Sequence, residues 1–346
     1  MAFFKLGTAP LRESASLVEV ISAIQLSNEK LCLIVNDSGQ LVGTLTDGDV
    51  RRAILDGAQL NSEAIDAMNK SPQIISETEM VGGDVSANNL VEFVVVLDDL
   101  GRPAGLFRYR KMRVTTKIPV VLMAGGRGSR LLPLTEVIPK PLVEIGGIPM
   151  IEILISRMAD QGFVDFFISV NHYGLQIEER LGSGERLGVH ISYLRENHPL
   201  GTAGALALLA GQIDGPFLVA NSDLVTTCDF TSLFEFHSDS KANVTVGVRE
   251  YLHQVPFGVA KIQQGLITDL VEKPVLREFV SAGIYCLDAR VILEVREDEY
   301  LDMPDLVARL IRENSTKVVG FPIHETWDDV GQLEDLERVR LKWTME

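Results

Sequence analysis

The stretch that decides the fold is AGGRGSRLLPLTEVIPKP, residues 124–141, which directly follows the apolar run Ile118–Met123. The apolar run predicts a buried strand, and the glycines after it let backbone amides approach a ligand closely. Arginine and lysine side chains in the same stretch add fixed donors that suit phosphate oxygens. The residues that combine bare backbone with positive charge are Gly125, Gly126, Gly128, Arg127, Arg130 and Lys140. Together they predict a loop that binds a polyphosphate.

The spacing of this loop differs from two common phosphate-binding patterns. It reads G-G-x-G-x-R, whereas dinucleotide-binding folds use G-x-G-x-x-G and Walker A loops place lysine directly after the last glycine. A glycine cluster after a strand is by itself compatible with a plain tight turn. The added Arg130 and the proline-flanked Lys140 make phosphate binding the more specific interpretation.

Composition narrows the possible partners. The 346 residues carry a formal net charge of −16, which argues against nucleic acid or an anionic membrane as the main partner. The start shows no signal-peptide pattern, and no apolar run is long enough to cross a bilayer. Cys32, Cys228 and Cys286 are far apart and lack metal-site spacing. We therefore expect a cytoplasmic protein with reduced, mostly buried thiols.

A weak internal repeat occupies the first part of the chain. Ser16 and Glu19 have the spacing of a capping box, which predicts that a helix begins there. The segments LCLIV and QLVGTLT predict two strands joined by a turn, and Asp47 is predicted to cap the next helix. The same strand–turn–strand pattern returns around residue 97. The matching positions are Asp37, Gly39 and Gly43 in the first copy and Asp99, Gly101 and Gly105 in the second.

This repeat resembles a pair of CBS domains, which implies an α+β regulatory module at the N-terminus. In that family the positions of Thr46 and Asp49 often hold the ribose of an adenine nucleotide, so the resemblance implies a regulatory nucleotide here. The competing interpretation is that Thr46, Asp47 and Asp49 only cap a helix. In the second copy the matching positions are Arg108 and Lys111, so at most one ribose site of this type remains.

Beyond Arg113, strands and helices alternate to about residue 250. This alternation predicts a mainly parallel sheet that is covered by helices on both faces. Such sheets bind ligands beyond the carboxyl ends of their strands, so we expect the chemistry in the loops after Ala124, Glu196 and Asn221. The segments that predict strands are PVVLMA, VDFFISV, VHISYLRE and FLVANSDL. The expected domains are therefore 1–115 and 116–346.

Six stretches, taken in order, resemble the sugar-phosphate nucleotidyltransferases, the NDP-sugar pyrophosphorylases. They are residues 124–141, PLGTAGAL (199–206), ANSDL (220–224), EKP (272–274), SAGIY (281–285) and WDDVG (327–331). The resemblance implies an α/β fold with a Rossmann-like, mainly parallel sheet of the GT-A-like nucleotidyltransferase type. It also implies a reaction in which a sugar 1-phosphate and an NTP give an NDP-sugar and pyrophosphate.

The resemblance further implies roles for individual residues. Arg130 and Lys140 are the expected catalytic cations, which hold the leaving and the reacting phosphates. Mg²⁺ is the expected cofactor, held by Asp223 and Asp329, with Asp328 as the adjacent alternative. The expected nucleotide-binding residues are Ala124, Gly125, Gly126, Gly128, Glu196, Gly201 and Thr202. The expected sugar-phosphate-binding residues are Asn221, Gly258, Glu272 and Lys273.

The nucleobase of the NTP is predicted from Glu196, which stands just before the PLGTAG loop. Guanine presents N1–H and N2–H₂ side by side, and a carboxylate accepts from both at once. Thymine and uracil present an acceptor–donor–acceptor edge, which suits glutamine better. Guanylyltransferases of this family often carry an acid at this point, so we predict GTP as the nucleotide. The alternative is that Glu196 is a solvated loop residue.

The sugar is less constrained, because Ser281 stands where the family commonly has asparagine before A-G-I-Y. The chain resembles mannose- and heptose-1-phosphate guanylyltransferases. Its CBS-plus-transferase arrangement also resembles enzymes proposed to make GDP-glucosamine for legionaminic acid, so we favour glucosamine 1-phosphate. CBS modules commonly pair, and we expect a homo-oligomer. The other functions considered are a non-catalytic nucleotide-sugar sensor, a metal-dependent glycosyltransferase, and an enzyme whose CBS module is purely structural.

Overall fold

A computed structural model describes residues 2–4, 9–27, 31–76, 93–108, 118–313 and 316–343. The chain divides into two units, Met1–Thr116 and Lys117–Glu346, and each is described by itself. Within the described residues, no helix combines the length and the apolar character that a membrane span needs.

The first unit contains short strands and helices in an α+β arrangement. Its strands are β1 (Ala2–Phe4), β2 (Leu11–Arg12), β3 (Leu31–Val35), β4 (Leu41–Thr46), β5 (Ile74–Ser76), β6 (Phe93–Leu97) and β7 (Pro103–Arg108). Its described helices are α1 (Leu17–Leu26), α2 (Asp47–Leu55) and α3 (Ala64–Ala67). They form sheets in the orders β2-β3-β4 and β1-β7-β6-β5.

Capping boxes begin the two longer helices of this unit. The predicted box at α1 is confirmed, because Ser16 N–H donates to Glu19 Oε2 at 2.7 Å and Glu19 N–H donates back to Ser16 Oγ. The prediction that Asp47 caps α2 is wrong, since the cap is Thr46 and Asp47 is the first helical residue. The Thr46 hydroxyl accepts from Asp49 N–H, and the Asp49 carboxylate accepts from Thr46 N–H at 2.9 Å.

The internal repeat is also confirmed by the backbone. Strand pairs β3–β4 and β6–β7 are antiparallel hairpins with a register shift at the same place, after Ile34 in one and after Val96 in the other. Each hairpin has the same turn, in which the side chain of Asn36 or Asp98 accepts from the backbone N–H groups two and four residues later. A shared apolar cluster joins the two copies through Leu31, Leu33, Val95 and Leu106. Each copy therefore buries a face against the other.

The second unit contains one large mixed sheet. Its strands run in the order β12 (His190–Arg195), β11 (Asp165–Val170), β8 (Val120–Met123), β13 (Phe217–Asn221), β18 (Val275–Leu287), β15 (Val244–Gln254) and β19 (Val318–Pro322). Smaller strands are β9 (Glu144–Ile145), β10 (Ile148–Pro149), β14 (Leu224–Thr226), β16 (Val259–Gln263), β17 (Leu266–Val271) and β20 (Trp327–Asp329). The α-helices are α4 (Met150–Asp160), α5 (Gly174–Leu181), α6 (Gly201–Gly204), α7 (Phe230–Ser240), α8 (Met303–Glu313) and α9 (Leu333–Trp343). Short 3₁₀ helices span Ser129–Leu131, Leu134–Glu136, Lys140–Leu142, Glu185–Leu187, Ala205–Leu209 and Ala289–Glu294.

The mainly parallel sheet is confirmed. Strands β12, β11, β8 and β13 are mutually parallel neighbours, and β18 is antiparallel to both β13 and β15. The carboxyl ends of the four parallel strands therefore lie at one edge. The prediction of a single strand over FLVANSDL is wrong, because β13 ends at Asn221 and β14 begins at Leu224. The N–H and the hydroxyl of Ser222 both donate to the Met123 carbonyl of β8, and Asp223 lies in the break between β13 and β14.

Helices cover both faces of this sheet, and each face has its own apolar core. One core includes the predicted face of α4, namely Ile151, Leu154, Ile155 and Met158, all of which are buried. The opposite core includes residues of α6 and α8. Cys32, Cys228 and Cys286 are buried as predicted, and burial raises the pKa of Cys32 to about 11.

Candidate active site

A cavity of about 400 Å³ lies beyond the carboxyl ends of β8 and β13. It unites the loops after Ala124, Glu196 and Asn221, as expected from the sequence. Eleven of the predicted site residues line it, namely Ala124, Gly125, Gly126, Gly128, Arg130, Lys140, Glu196, Gly201, Thr202, Asn221 and Asp223. A small crevice of this volume, with glycines on one wall and charged side chains on others, suits a polar ligand.

The glycines of the loop are required by close packing as well as by ligand access. Gly128 has a φ of +65°, and a Cβ there would lie 2.9 Å from the Cβ of Lys140. A Cβ on Gly125 would lie 2.4 Å from Oε1 of Glu196. By contrast, a Cβ on Gly126 would meet nothing within 4 Å. Gly128 therefore lets Lys140 pack against the loop, and Gly125 does the same for Glu196. The backbone of Gly126 instead stays open at the cavity.

The positive end of the cavity is anchored by a small core. Arg130 is exposed, but its neighbour Leu131 is fully buried and packs with Val225, Val330 and Leu336. This cluster ties the glycine-rich loop to β14, to the segment after β20 and to α9. The side chain that reaches into the cavity is thus carried on a rigid support.

Lys140 forms an ion pair with Asp223 at the floor of the cavity. The Lys140 side chain is 11% exposed and that of Asp223 is 20% exposed. Lys140 Nζ donates to Oδ2 of Asp223, whereas Oδ1 is buried and has no hydrogen-bond partner in the part of the chain that the structure describes. A buried oxygen without a partner is costly, and a ligand or ion that contacts it removes that cost.

Asp329 is not among the residues that line the cavity, but it lies close to Asp223. It stands opposite Leu224 in the β14–β20 pair, and the next residue, Val330, donates its N–H to the carbonyl of Asp223 at 3.2 Å. Partial burial and the negative charge of Asp223 raise the pKa of Asp329. The two carboxylates therefore repel each other, and a shared cation would relieve that repulsion.

The neighbouring Asp328 is turned the other way. It is buried, and its carboxylate accepts from Arg338 and Lys342 on α9. It therefore holds α9 against β20 through two ion pairs, which already occupy its carboxylate. Of the two candidate metal ligands at this position, the structure favours Asp329.

The donor set fits a magnesium ion. Asp223 and Asp329 supply two carboxylates, one of them with an unpartnered buried oxygen, and Mg²⁺ commonly takes one or two carboxylates plus phosphates and water. Within the described residues, no group of three or more His, Cys, Asp or Glu side chains forms an all-protein metal cage. The remaining ligands would come from substrate phosphate.

Glu196 is fixed at the wall by neutral donors. The hydroxyl of Ser169 donates to its Oε1, and the backbone N–H of Leu200 donates to its Oε2 at 3.0 Å. Both oxygens retain accepting capacity, because each carboxylate oxygen has two lone-pair sites. Glu196 thus shapes the loop and still presents a carboxylate to the cavity.

Three predicted sugar-phosphate residues lie elsewhere in the second unit. Gly258, Glu272 and Lys273 are not among the residues that line the cavity. They meet one another at the base of the exposed β16–β17 hairpin, where a Cβ on Gly258 would lie 3.0 Å from Oε2 of Glu272. Lys273 has a φ of +47° and donates its N–H to the carbonyl of Phe257. Of the predicted sugar-phosphate residues, only Asn221 reaches the cavity.

In the first unit, Thr46 and Asp49 are occupied by internal bonds. Besides the capping box of α2, Asp49 pairs with Arg52 at 2.6 Å, and Asp47 pairs with the fully buried Arg51. Of the matching positions in the second copy, Arg108 ends β7 and Lys111 lies outside the described residues. The capping role, one of the two interpretations of Thr46 and Asp49, is directly visible.

One wall of the cavity, formed by Glu299–Asp302, was not predicted from the sequence. Tyr300 and Asp302 line the cavity. A Cβ on Gly201 would lie 2.5 Å from the carbonyl oxygen of Leu301, and one on Gly204 would lie 2.2 Å from that of Glu299. The glycines of PLGTAG thus serve this contact. The two glycines of PLGTAG could have indicated that another segment packs closely on this loop. The sequence does not show which segment that is.

The sequence of this chain matches two protein-family models. Residues 119–346 match the family model for nucleotidyl transferases. This chain belongs to that family. Residues 9–56 match the CBS domain model.

Curated relatives of this nucleotidyl transferase are similar over its second unit. A mannose-1-phosphate guanyltransferase from Yarrowia lipolytica is 37% identical over 229 residues, covering 62% of this chain and 61% of the relative. A mannose-1-phosphate guanylyltransferase from Mycobacterium tuberculosis is 29% identical over 229 residues, covering 65% of this chain and 64% of the relative. The chain thus spans less than two thirds of the length of these relatives.

Solved structures with the same fold are also similar. A Bacillus anthracis protein described as a glucose-1-phosphate thymidylyltransferase, in complex with sucrose, matches with a TM-score of 0.53 and 26% identity over 65% of this chain and 94% of its own. HddC from Yersinia pseudotuberculosis, complexed with GMP-PN, matches with a TM-score of 0.52 and 25% identity over 65% and 99%.

Proposed function

We propose that this nucleotidyl transferase joins a sugar 1-phosphate to the nucleotidyl group of GTP and releases pyrophosphate. The observation that carries the proposal is the meeting of the glycine-rich loop, Arg130, Lys140 and Asp223 in one cavity at the carboxyl edge of the sheet, with Asp329 close enough to Asp223 for its pKa to be raised. The guanylyltransferase names of the curated relatives and the GMP-PN complex of HddC support the choice of GTP. The thymidylyltransferase among the structural neighbours makes the base a point to test.

The proposed reaction is an in-line substitution at phosphorus. An oxygen of the sugar phosphate forms a bond to the α-phosphorus, and the bond from that phosphorus to the α–β bridging oxygen breaks. The electron pair leaves with pyrophosphate. The nucleophile is already anionic, so the protein contributes mainly position and charge neutralisation.

Individual residues have distinct tasks in this proposal. The Gly125–Gly126 backbone presents N–H groups to the triphosphate, and Arg130 holds the leaving β and γ phosphates. Lys140 lies beside Asp223 and stabilises charge that develops on the reacting phosphates. Asp223 and Asp329 would hold Mg²⁺, which, when bound, neutralises phosphate charge. Gly258, Glu272 and Lys273 are proposed to contact the sugar phosphate from the hairpin that carries them.

The sugar is proposed to be glucosamine 1-phosphate, as in a route to legionaminic acid, with mannose or heptose 1-phosphate as the alternatives. The test is pyrophosphate release with Mg²⁺ over a grid of GTP, ATP, CTP, UTP and dTTP against mannose-, heptose-, glucosamine-, N-acetylglucosamine- and glucose-1-phosphate. Release with GTP and one sugar identifies both substrates. Pyrophosphate release only with UTP or dTTP would support the proposed reaction and contradict the choice of GTP as the nucleotide. Absence of pyrophosphate release with every nucleotide and sugar 1-phosphate would contradict the proposed activity.

Glu196 is proposed to read guanine. Glu196→Gln should reduce the preference for GTP over UTP by about tenfold, because an amide offers one acceptor where the carboxylate offers two. Ser169→Ala is the matched control, since it removes one hydrogen bond to Glu196 but leaves the carboxylate in the cavity. Unchanged base selectivity in Glu196→Gln, or an equal change in both variants, would contradict this role.

For the first unit, we propose an adenine nucleotide bound near Thr46 and Asp49, and pairing of two chains. A ribose there has to compete with the capping bonds and with the Asp49–Arg52 pair. Calorimetric titration of the full chain with ATP and AMP tests the ligand, and light scattering tests the oligomer. If neither ATP nor AMP gives a heat of binding, the proposed adenine nucleotide site in the first unit is contradicted.

A further inference from the structure

Strands β15 and β18 continue beyond the large sheet as an uncovered arm. Strand β15 pairs with β19 as far as Val248, and β18 pairs with β13 from Ile284 onward. Between these points, the described ladders pair β15 and β18 with each other, and β16 and β17 form the hairpin at the end. We call residues 249–280 the arm. All of them are described, and none is buried.

The arm exposes an unusually large apolar surface. Twelve of its large apolar side chains are exposed, each by 37–72%. With about 150 Å² for a fully exposed large apolar side chain, they present roughly 1,000 Å². The largest apolar patch of a typical monomer is about 300–600 Å², and each partner in a standard dimer buries about 800 Å². The arm therefore carries enough apolar surface for one side of a stable interface.

One face of the hairpin presents an apolar stripe, formed by Ala260, Ile262, Ile267 and Leu270. Ala260 and Ile262 are two residues apart on β16 and share a face, and the ladder places Leu270 opposite Ala260 and Ile267 opposite Ile262. Each of these four residues is exposed. A two-stranded hairpin without cover is at best marginally stable in water, so this face needs a partner.

The charges of the arm favour a second copy of the chain as that partner. The arm has four basic and four acidic residues, whereas the whole chain has a net charge of −16. Lys261 pairs with Asp269 at 3.1 Å, and Arg277 pairs with Glu250. Two copies repel each other over the acidic rest of their surface, and this repulsion is smallest at the neutral arm. A second arm offers an apolar surface of the same size and the same neutrality, as a two-fold contact requires.

We propose that two copies of this chain pair through their second units, arm against arm, with the apolar stripes in contact. This contact is separate from the pairing proposed for the first unit. It also orders the base of the hairpin, which carries Gly258, Glu272 and Lys273. Pairing therefore favours binding of the sugar 1-phosphate, and this consequence alone rests on the proposed function.

The test is disulfide cross-linking of the full chain through one added thiol. Cys32, Cys228 and Cys286 are all buried, so they contribute little background. Ile267→Cys should give mostly covalent dimers under mild oxidation with diamide at micromolar protein concentration. Leu293→Cys is the matched control, because Leu293 is 79% exposed in the second unit but lies outside the arm. It should give about tenfold fewer dimers, since thiols held together react at a much higher effective concentration.

A second substitution separates packing of the stripes from random collision. Adding Ile262→Lys to Ile267→Cys places like charges on both stripes and should reduce cross-linking about tenfold. A nearby lysine makes a thiol more reactive, so the thiol chemistry alone predicts the opposite change. Ile262 is 65% exposed, so its replacement removes no buried contact, and circular dichroism should show a native fold.

The consequence for the substrate is measured with Ile262→Lys alone. Its KM for the sugar 1-phosphate that the substrate grid identifies should rise about fivefold, because the base of the hairpin then has to be ordered on binding. Its KM for GTP should stay close to wild type, since the glycine-rich loop is not part of the arm. Leu293→Lys should change neither KM.

The outcomes distinguish the two proposals. Equal cross-linking of Ile267→Cys and Leu293→Cys would overturn the arm contact, and so would cross-linking that persists with Ile262→Lys. The arm would then be covered by another part of the chain or by a different protein. An unchanged KM for the sugar 1-phosphate in Ile262→Lys would overturn only the link to the substrate. Cross-linking in a chain that releases no pyrophosphate would contradict the proposed function and support the arm contact.

Discussion

Asp49 in the first unit and Asp223 in the second both lie near the end of a buried strand, but their surroundings differ. Asp49 accepts from the N–H and hydroxyl of Thr46 through Oδ2 and pairs with Arg52 through Oδ1. Asp223 pairs with Lys140 through one oxygen, and its other oxygen is buried without a hydrogen-bond partner among the described residues. The first carboxylate completes a helix start, and the second is completed only by something that enters the cavity.

This difference shows how a bound ligand can be inferred from a protein without one. A short acidic motif that is satisfied internally has a structural explanation, and its ligand role then needs separate support. A buried polar atom without a partner in a native fold calls for a further explanation, and binding is the simplest one.

Asp223→Asn should have the largest effect on turnover. It keeps the shape of the side chain but removes one of the two negative charges that face each other at the proposed metal site. We expect kcat to fall by about a thousandfold, equivalent to ~4 kcal/mol of transition-state stabilisation, because phosphate charge is then poorly neutralised. Pyrophosphate release as a function of Mg²⁺ concentration measures this loss, and EDTA should abolish the wild-type activity.

The control for this prediction is Asp49→Asn, which makes the same chemical change in the other unit. It should lower Tm by disturbing the capping box and leave kcat within about twofold of wild type. Asp223→Asn also weakens the ion pair with Lys140, so its Tm is measured beside kcat, and we expect a variant that is still folded but has lost turnover. Near-normal turnover in Asp223→Asn would contradict the catalytic interpretation of the unpartnered oxygen.

Much of the fold was predictable from the sequence because it depends on local patterns. Apolar runs such as LCLIV and the capping spacing of Ser16 and Glu19 determine elements within a few residues, and the structure has them where they were predicted. The errors were also local. Asp47 and Thr46 are both acceptable caps, and only the backbone conformation at Thr46 decides between them. Asp223 was placed on a strand that in fact ends at Asn221, because apolar residues continue on both sides of the break.

The site was less predictable where it depends on distant contacts. The glycine-rich loop and Asp223 carry recognisable spacing, and both reach the cavity. The wall formed by Tyr300 and Asp302 contacts Thr202 from about a hundred residues further along the chain, and no local pattern records that contact. Asp328 and Asp329 are adjacent acids in one strand, and only the alternation of side chains along that strand separates them.

Gly125→Ala should have an intermediate effect, on stability. The added methyl group would lie 2.4 Å from Oε1 of Glu196, so the loop or the carboxylate has to move. We expect a loss of about 1–3 kcal/mol in the free energy of unfolding, which is typical of overpacking, and a raised KM for GTP. Thermal unfolding and steady-state kinetics measure the two effects.

Gly126→Ala is the matched control for that change. A Cβ there meets nothing within 4 Å, so stability should stay within about 0.5 kcal/mol of wild type. Combining Gly125→Ala with Glu196→Ala should recover part of the lost stability, because the group that clashes is then absent. If Gly125→Ala and Gly126→Ala destabilise the protein equally, the contact with Glu196 is not the reason for the first glycine.

Thr46→Ala should have the smallest effect on the fold. It removes the hydroxyl that accepts from Asp49 N–H and donates to Asp49 Oδ2, and loss of such a cap costs about 1 kcal/mol. Ser16→Ala removes the equivalent hydroxyl at α1 in the same unit and is the matched control. Both variants should lower Tm to a similar extent. If the first unit binds an adenine nucleotide through Thr46, only Thr46→Ala should also weaken ATP or AMP binding, by about tenfold. Equal nucleotide affinity in the two variants would leave Thr46 with the role that the structure already shows, which is to begin a helix.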